Sequence, residues 1–261
     1  MVGILVAAAL AAASPAAVPA GTDSAAAPAI FVVRDADTTV YLFGTFHALD
    51  GKARWFDDRV KAAFEQSDEL VLETLIPETP APGASQQPIS NLSVTPSASF
   101  LASTRMAISA GRAQGMQVSS GADMVLRRAA EAEGKPVEGL ETLQSQLDMF
   151  TRMPATLAAA PRRADGPAMD SLSKSMVEMQ DAWKHGDQRV FVRMLGELER
   201  GSPDTYRVMF TERNARWADW IRARMQTPGT VFVAVGAGHL AGKDSVLVHL
   251  AQLGIRSERV Y

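Results

Sequence analysis

VFVAVGAGHL, residues 231–240, is a run of small and β-branched residues that ends in two glycines and a histidine. The run has the composition of a buried strand, and glycines at its end allow unusual dihedrals or a close backbone approach that a Cβ would obstruct. The pattern recurs near the other end of the chain, where VYLFGTFHAL, residues 40–49, runs apolar to Gly44 and places His47 three residues later. Gly236 and His239 are the matching pair, with Gly238 inside the second turn. Each copy predicts a strand that turns sharply at its carboxyl end to aim an imidazole into a crevice.

Outward from these two stretches, IFVVRDADTTVYLFG reads as a hairpin about the polar turn Arg34 to Thr38. WFDDRVKAAFEQSD, residues 55–68, carries apolar positions 56, 60, 63 and 64 at helical spacing, and ELVLET returns to a strand ending near Glu73. KPVEGLE gives a further strand ending at Glu141, after a helix with Met124, Leu126 and Ala130 that Asp123 is placed to cap. Residues 141–225 are helical by pattern, with breaks at Pro154, Pro161, Gly186 and the GSPD turn. At the end TVFVAVG is a strand, SVLVHLAQLG a helix and IRSERVY a last strand. The fold class is therefore α/β: a mixed, largely parallel central sheet built from two strand, Gly-x-x-His, helix, strand units, with a helical middle region.

Composition narrows the partners. The chain has 26 Lys plus Arg against 29 Asp plus Glu and no long like-charge run, so it lacks the electrostatic footprint of a nucleic-acid binder. A peptide or small molecule is the expected partner. Zero cysteine excludes a thiol nucleophile and thiolate metal ligands. Residues 1–20, apolar and then small, read as a secretory signal, which places the mature protein outside the cytoplasm, in the periplasm of a Gram-negative source. No other stretch is long and apolar enough to span a bilayer. Residues 77–98 are rich in Pro, Ser and Gln and read as a flexible insertion in a domain covering 28–261.

Parallel crossovers bring the carboxyl ends of their strands to one sheet edge, where ligands bind in open α/β folds. His47, Glu73, Glu141 and His239 each follow a predicted strand, so that edge collects two imidazoles and two carboxylates. Such a set suits Zn²⁺, Mn²⁺ or Fe²⁺ with open positions for water and substrate. The same residues equally suit metal-free catalysis, with a histidine as general base held in its tautomer by a glutamate. In TERNARWADWIRARM, Arg213 and Asn214 share an inward face with Trp217 and Ile221. An inward guanidinium needs an anion, either a developing oxyanion, a substrate carboxylate or a structural glutamate partner. His185 and His249 read as structural, and Met149, Met153, Met169, Met176 and Met179 as core filling.

Five ordered blocks, YLFGTFHALD, DELVLET, GKPVEGLETLQSQ, TERNARWADWI and VFVAVGAGHLAGKDSVLVHLAQLGIRSERV, resemble the TraB/GumN family, which includes the Tiki proteins. Gly44 with His47 and Gly236 with His239 match its two Gly-x-x-His motifs, Glu73 its acidic strand end, and Arg213 with Asn214 its Arg-Asn pair. The resemblance implies an α/β core related to the erythromycin esterase and ChaN-like folds and, as in Tiki, a divalent-metal-dependent protease activity with Mn²⁺ or Co²⁺. Unlike the membrane-bound pheromone-shutdown members, this sequence shows no C-terminal transmembrane stretch.

The expected function is accordingly a secreted metal-dependent hydrolase, a peptidase first. His47, Glu73 and His239 hold a divalent ion (Mn, Co, Zn or Fe), with Glu141 as further ligand or general base and Arg213 with Asn214 as catalytic partners. Two rivals use the same residues: a metal-independent His/Glu ester hydrolase, and a non-enzymatic periplasmic metal or haem binding protein.

Overall fold

A computed structural model describes residues 26–75, 98–152 and 167–260. The leader read at 1–20 and all but the last residue of the insertion read at 77–98 lie outside the described residues, as do Pro154 and Pro161. The chain order is β1 (Ile30–Arg34), β2 (Thr38–Thr45), α1 (Asp58–Glu65), β3 (Glu69–Thr74), α2 (Ala98–Ala113), α3 (Ala122–Glu133) and β4 (Val137–Glu141). Then come α4 (Leu143–Arg152), α5 (Pro167–Lys184), α6 (Arg189–Gly201), α7 (Pro203–Tyr206), a π-helical turn (Arg207–Thr211), α8 (Glu212–Arg224), β5 (Gly229–Gly236), a 3-10 turn (Ala237–Leu240), α9 (Val246–Gln252) and β6 (Glu258–Arg259).

The six strands form one sheet in the order β4-β3-β5-β2-β1-β6. β4, β3, β5 and β2 are mutually parallel, whereas β1 is antiparallel to both β2 and β6. The sheet is thus mixed and largely parallel, as the alternation of strands and helices predicts. Its apolar strands are continuous rather than alternating because both faces are covered. Phe43, Leu70, Leu72, Phe232 and Ala234 pack on one side with Trp55, Phe64 and Trp183. On the other side, Val40, Leu42, Val71, Val231, Val233 and Val235 meet Trp217 and Ile221 of α8 and Leu250 of α9. No described helix is long and apolar enough to cross a membrane.

Local details differ from the sequence reading at three points. The last strand is two residues, Glu258 and Arg259, both exposed, rather than the seven of IRSERVY. It lacks the buried apolar row that makes β5 a strand over eight residues. Asp123 does not cap α3: Gly121 is the cap residue, and Asp123 lies in the first turn with its carboxylate turned toward His47. The glycines at the two histidine turns need no special dihedrals, since none of Gly44, Gly236 and Gly238 has a positive φ. Space, not conformation, requires them.

Candidate active site

β2 and β5 lie side by side with Thr45 level with Gly236, so the two Gly-x-x-His turns leave the sheet at the same edge. They pack directly on each other, because a Cβ on Gly44 would stand 3.1 Å from Cα of Ala237. On Gly236 a Cβ would lie 3.1 Å from Oε1 of Glu73, 3.4 Å from Nε2 of His47 and 3.6 Å from Cδ2 of His239. Both imidazoles and one carboxylate therefore converge on the bare Cα of one glycine. The chain ends its strand in glycine because a side chain there would occupy the site.

Each histidine is gripped from behind. Nδ1 of His47 lies 3.3 Å from Oδ1 of Asp123. α3 is brought in by the backbone, with the Ala122 amide donating to the Phe46 carbonyl at 2.9 Å. A Cβ on Gly121 would stand only 2.2 Å from the His47 carbonyl oxygen, so that approach is open to glycine alone. Nδ1 of His239 lies 2.6 Å from Oδ1 of Asn214, whose amide nitrogen donates to the Asp244 carbonyl at 2.6 Å. That second bond fixes the amide orientation, so His239 must donate from Nδ1 and keep its lone pair on Nε2. The ring sits between Phe210 and Trp217, with centroids at 4.7 and 4.5 Å.

Arg213, 1 % exposed, ties the cluster together. Its Nε donates to Glu141 at 3.0 Å, and Nη2 stands 2.8 Å from Glu73 and 2.9 Å from Glu141. Nη1 reaches the Met209 carbonyl at 3.4 Å and Nε2 of His239 at 3.3 Å. A guanidinium has five N–H groups, and these contacts engage all of them. In this arrangement Arg213 compensates charge and positions Glu73 and His239, and no donor remains for a substrate oxyanion. Glu141 stands behind it, held also by Arg216 at 3.3 Å, and does not line the cavity.

The electrostatics follow from burial and these contacts. Burial alone would raise the Glu73 pKa, but Arg213, then His239 and His47, with the Gly236 amide at 2.6 Å, hold it well below the usual carboxylate range. Burial pushes His239 down to about 3, and Arg213 adds to the fall although Glu73 opposes it, so the ring is neutral. For His47 burial also works against the cation, but Asp123 and then Glu73 outweigh it and raise the pKa to about 9. One histidine is therefore a cation at neutral pH and the other a neutral acceptor.

The cluster forms the polar end of a cavity of about 140 Å³. The rest of the lining is largely apolar and includes Phe46, Met124, Met179, Met194 and Phe210. Of the methionines assigned to core filling, Met149, Met169, Met176 and Met179 are buried, and Met179 also reaches the cavity, while Met153 lies outside the described residues.

A divalent ion finds suitable donor types here but not suitable spacing. Both imidazoles have Nδ1 engaged by a side-chain oxygen, the arrangement that orients metal-bound histidines. Yet Arg213 Nη1 occupies the approach to Nε2 of His239, and among the described residues no three imidazole or carboxylate groups stand close enough to share one ion. As it stands, the Arg213 guanidinium contacts both Glu73 and His239.

Asp123 and Gly121, with Thr45 and Thr74 of the cavity wall, are residues of this site that sequence reasoning assigned elsewhere or passed over. The only signal for Asp123 is its position after the polar turn VSSG, which equally marks a helix start.

The family model described as the TraB/PrgY/gumN family matches residues 29–103 and 84–259, which include both histidine turns, Glu73, Glu141 and Arg213. The uncharacterized protein YbaP of Escherichia coli K12 is 24% identical over 262 residues, covering 84% of this chain and 90% of that protein. The uncharacterized protein YbaP of Shigella flexneri matches to the same extent. No solved structure gives a significant match.

Proposed function

This chain belongs to the TraB/PrgY/gumN family, and on that premise we propose that the cavity over Gly236 is the reaction centre of a hydrolase acting on carbonyl compounds, peptides first. The observation that carries the reading is the meeting of the His47 ring, the Glu73 carboxylate and the His239 ring around one glycine Cα. A carbonyl group lying there meets the protonated Nε2 of His47 and, across from it, an anion held ionised. Glu73 takes the proton of the attacking water as the new bond forms. His47, backed by Asp123, gives its proton to the departing group, and the proton on Glu73 passes back to His47 as the products leave. Glu73 orders that water and balances the imidazolium, while Arg213 Nη2 and the Gly236 amide hold Glu73 without needing to reorganise.

A metal-dependent form of the reaction is the second reading, favoured by the Nδ1 tethers on both rings. Its ligands would be His47, Glu73 and His239, with Mn, Co, Zn or Fe as the ion, and it requires Arg213 to withdraw from His239.

The test is a peptide-library cleavage assay on protein purified without added ions, with metal analysis of the same sample. His47→Ala should abolish cleavage, and a folded variant with undiminished turnover overturns the proposal. Activity that survives exhaustive EDTA treatment supports the first form, and activity lost to EDTA and restored by one ion supports the second.

A further inference from the structure

Two hydroxyls beside the reaction centre have no partner. Oγ1 of Thr45 and Oγ1 of Thr74 are buried without a hydrogen bond, and both residues line the cavity. Buried polar atoms in native proteins are almost always paired, so two orphans in one cavity wall call for a ligand. Their places in the sheet are related. Thr45 is the register partner of Gly236, and Leu72 that of Ala234, so two residues further along Thr74 falls on the other side of Gly236. Residues level with one another on neighbouring strands share a face. Thr45 and Thr74 thus flank Gly236 in the sheet, on the face that also carries Leu72 and Ala234 of the cavity wall.

The same cavity is lined by methionines and aromatics, which adapt to a guest without supplying hydrogen bonds. A cavity of about 140 Å³ matches one aromatic ring or one medium aliphatic side chain, since a dry apolar cavity of roughly 150 Å³ takes up benzene. A polar row able to accept N–H or donate to C=O, set against a pocket for a single apolar side chain, has the chemistry of one residue of a peptide.

We propose that this site selects amide substrates bearing one aromatic or medium aliphatic side chain, with the Thr45 and Thr74 hydroxyls as the contacts that read the amide above Gly236. The inference rests on the hydrolase reading for its substrate role, but binding tests it separately from turnover.

The measurement is calorimetric binding of N-acetyl-phenylalaninamide, N-acetyl-glycinamide and N-acetyl-phenylalanine methyl ester to the full chain and to Thr45→Val and Thr74→Val. The phenylalanine amide should bind at least tenfold more tightly than the glycine amide. Each valine variant should lose roughly three- to tenfold in affinity for the phenylalanine amide and less toward the methyl ester, which lacks the terminal amide N–H but keeps the acetamide. Neither variant should lower Tm, because no bond of the free protein is removed. No binding at millimolar concentration, no preference for phenylalanine, or unchanged amide affinity in both variants overturns the proposal. Peptide cleavage indifferent to both hydroxyls would leave the hydrolase standing without this selectivity, and selective binding without any cleavage would do the reverse.

Discussion

Asn214 decides which nitrogen of His239 carries the proton: its Oδ1 sits 2.6 Å from Nδ1 while its own nitrogen is committed to the Asp244 carbonyl at 2.6 Å. Neither bond can be reversed without turning the amide against the other. The tether therefore links the β5 turn, the α8 helix and the loop before α9 through one side chain.

Asn214→Asp should break this arrangement at one end and strengthen it at the other. A carboxylate oxygen would face the Asp244 carbonyl with no proton between them, a buried mismatch worth about 1–3 kcal/mol of stability. At the other end the new charge favours the imidazolium, so the His239 pKa should rise from about 3. Denaturant unfolding reads the first effect and an NMR titration of the His239 ring the second. A variant of unchanged stability and unchanged His239 titration would show that the amide does not set the tautomer.

Arg213→Met should cost about 3–5 kcal/mol near neutral pH, because it leaves Glu73 and Glu141 buried beside an apolar chain with their shared cation removed. The pH dependence should also change sign. In the parent chain the Glu73 pKa is depressed, so its contribution is present above the unfolded carboxylate pKa and is lost as pH falls through the lower folded value. In the variant burial acts on Glu73 without its main opposing charge, the pKa rises above the unfolded value, and acidification from neutral should recover stability. Urea midpoints at pH 7 and pH 5 check this.

The two histidines make opposite demands on pH. His47 has a folded pKa raised to about 9, so its contribution is full below about 6.5 and disappears as pH climbs through 9. His239 has a pKa lowered to about 3, so its contribution is full above about 6.5 and is lost as pH falls toward 3. Stability should therefore peak near pH 6.5, with an alkaline decline on the order of 3 kcal/mol. Asp123→Asn removes the charge that does most to raise His47 and should flatten the alkaline side alone. An alkaline decline of the same size in that variant would mean that Asp123 does not support the His47 cation.

The legible part of this site is the part written in local pattern. Gly44 with His47 and Gly236 with His239 repeat one spacing after one kind of strand, and that repetition places them at a common edge before any coordinates are known. The burial of Arg213 and Asn214 is likewise readable from their spacing to Trp217 on α8. What is not legible depends on which strands become neighbours. β5 inserts between β2 and β3, and only that register sets Thr45 and Thr74 on either side of Gly236. Asp123 carries two compatible local meanings, helix cap and histidine partner, and the choice is made by Gly121, which takes the cap position and lets α3 close on His47.

Gly121 therefore gives the sharpest test of how the first histidine is held. A methyl group added there would lie 2.2 Å from the His47 carbonyl oxygen and 2.6 Å from its carbonyl carbon, and neither atom is the end of a flexible side chain that could swing aside. Gly121→Ala should force α3 away from the β2 turn, at a cost of about 1–3 kcal/mol or more from overpacking, and should carry Asp123 away from His47. Gly236→Ala presents a milder obstacle, since the nearest atoms are the Glu73 carboxylate at 3.1 Å and the His47 ring at 3.4 Å, both on side chains. That variant should keep most of its stability while displacing the two groups the proposed reaction needs. Comparing Tm with peptide turnover separates the cases: Gly121→Ala should lose both, whereas Gly236→Ala should lose turnover by at least tenfold with a small change in Tm. Full turnover in Gly236→Ala would mean that the reacting groups do not meet over that glycine.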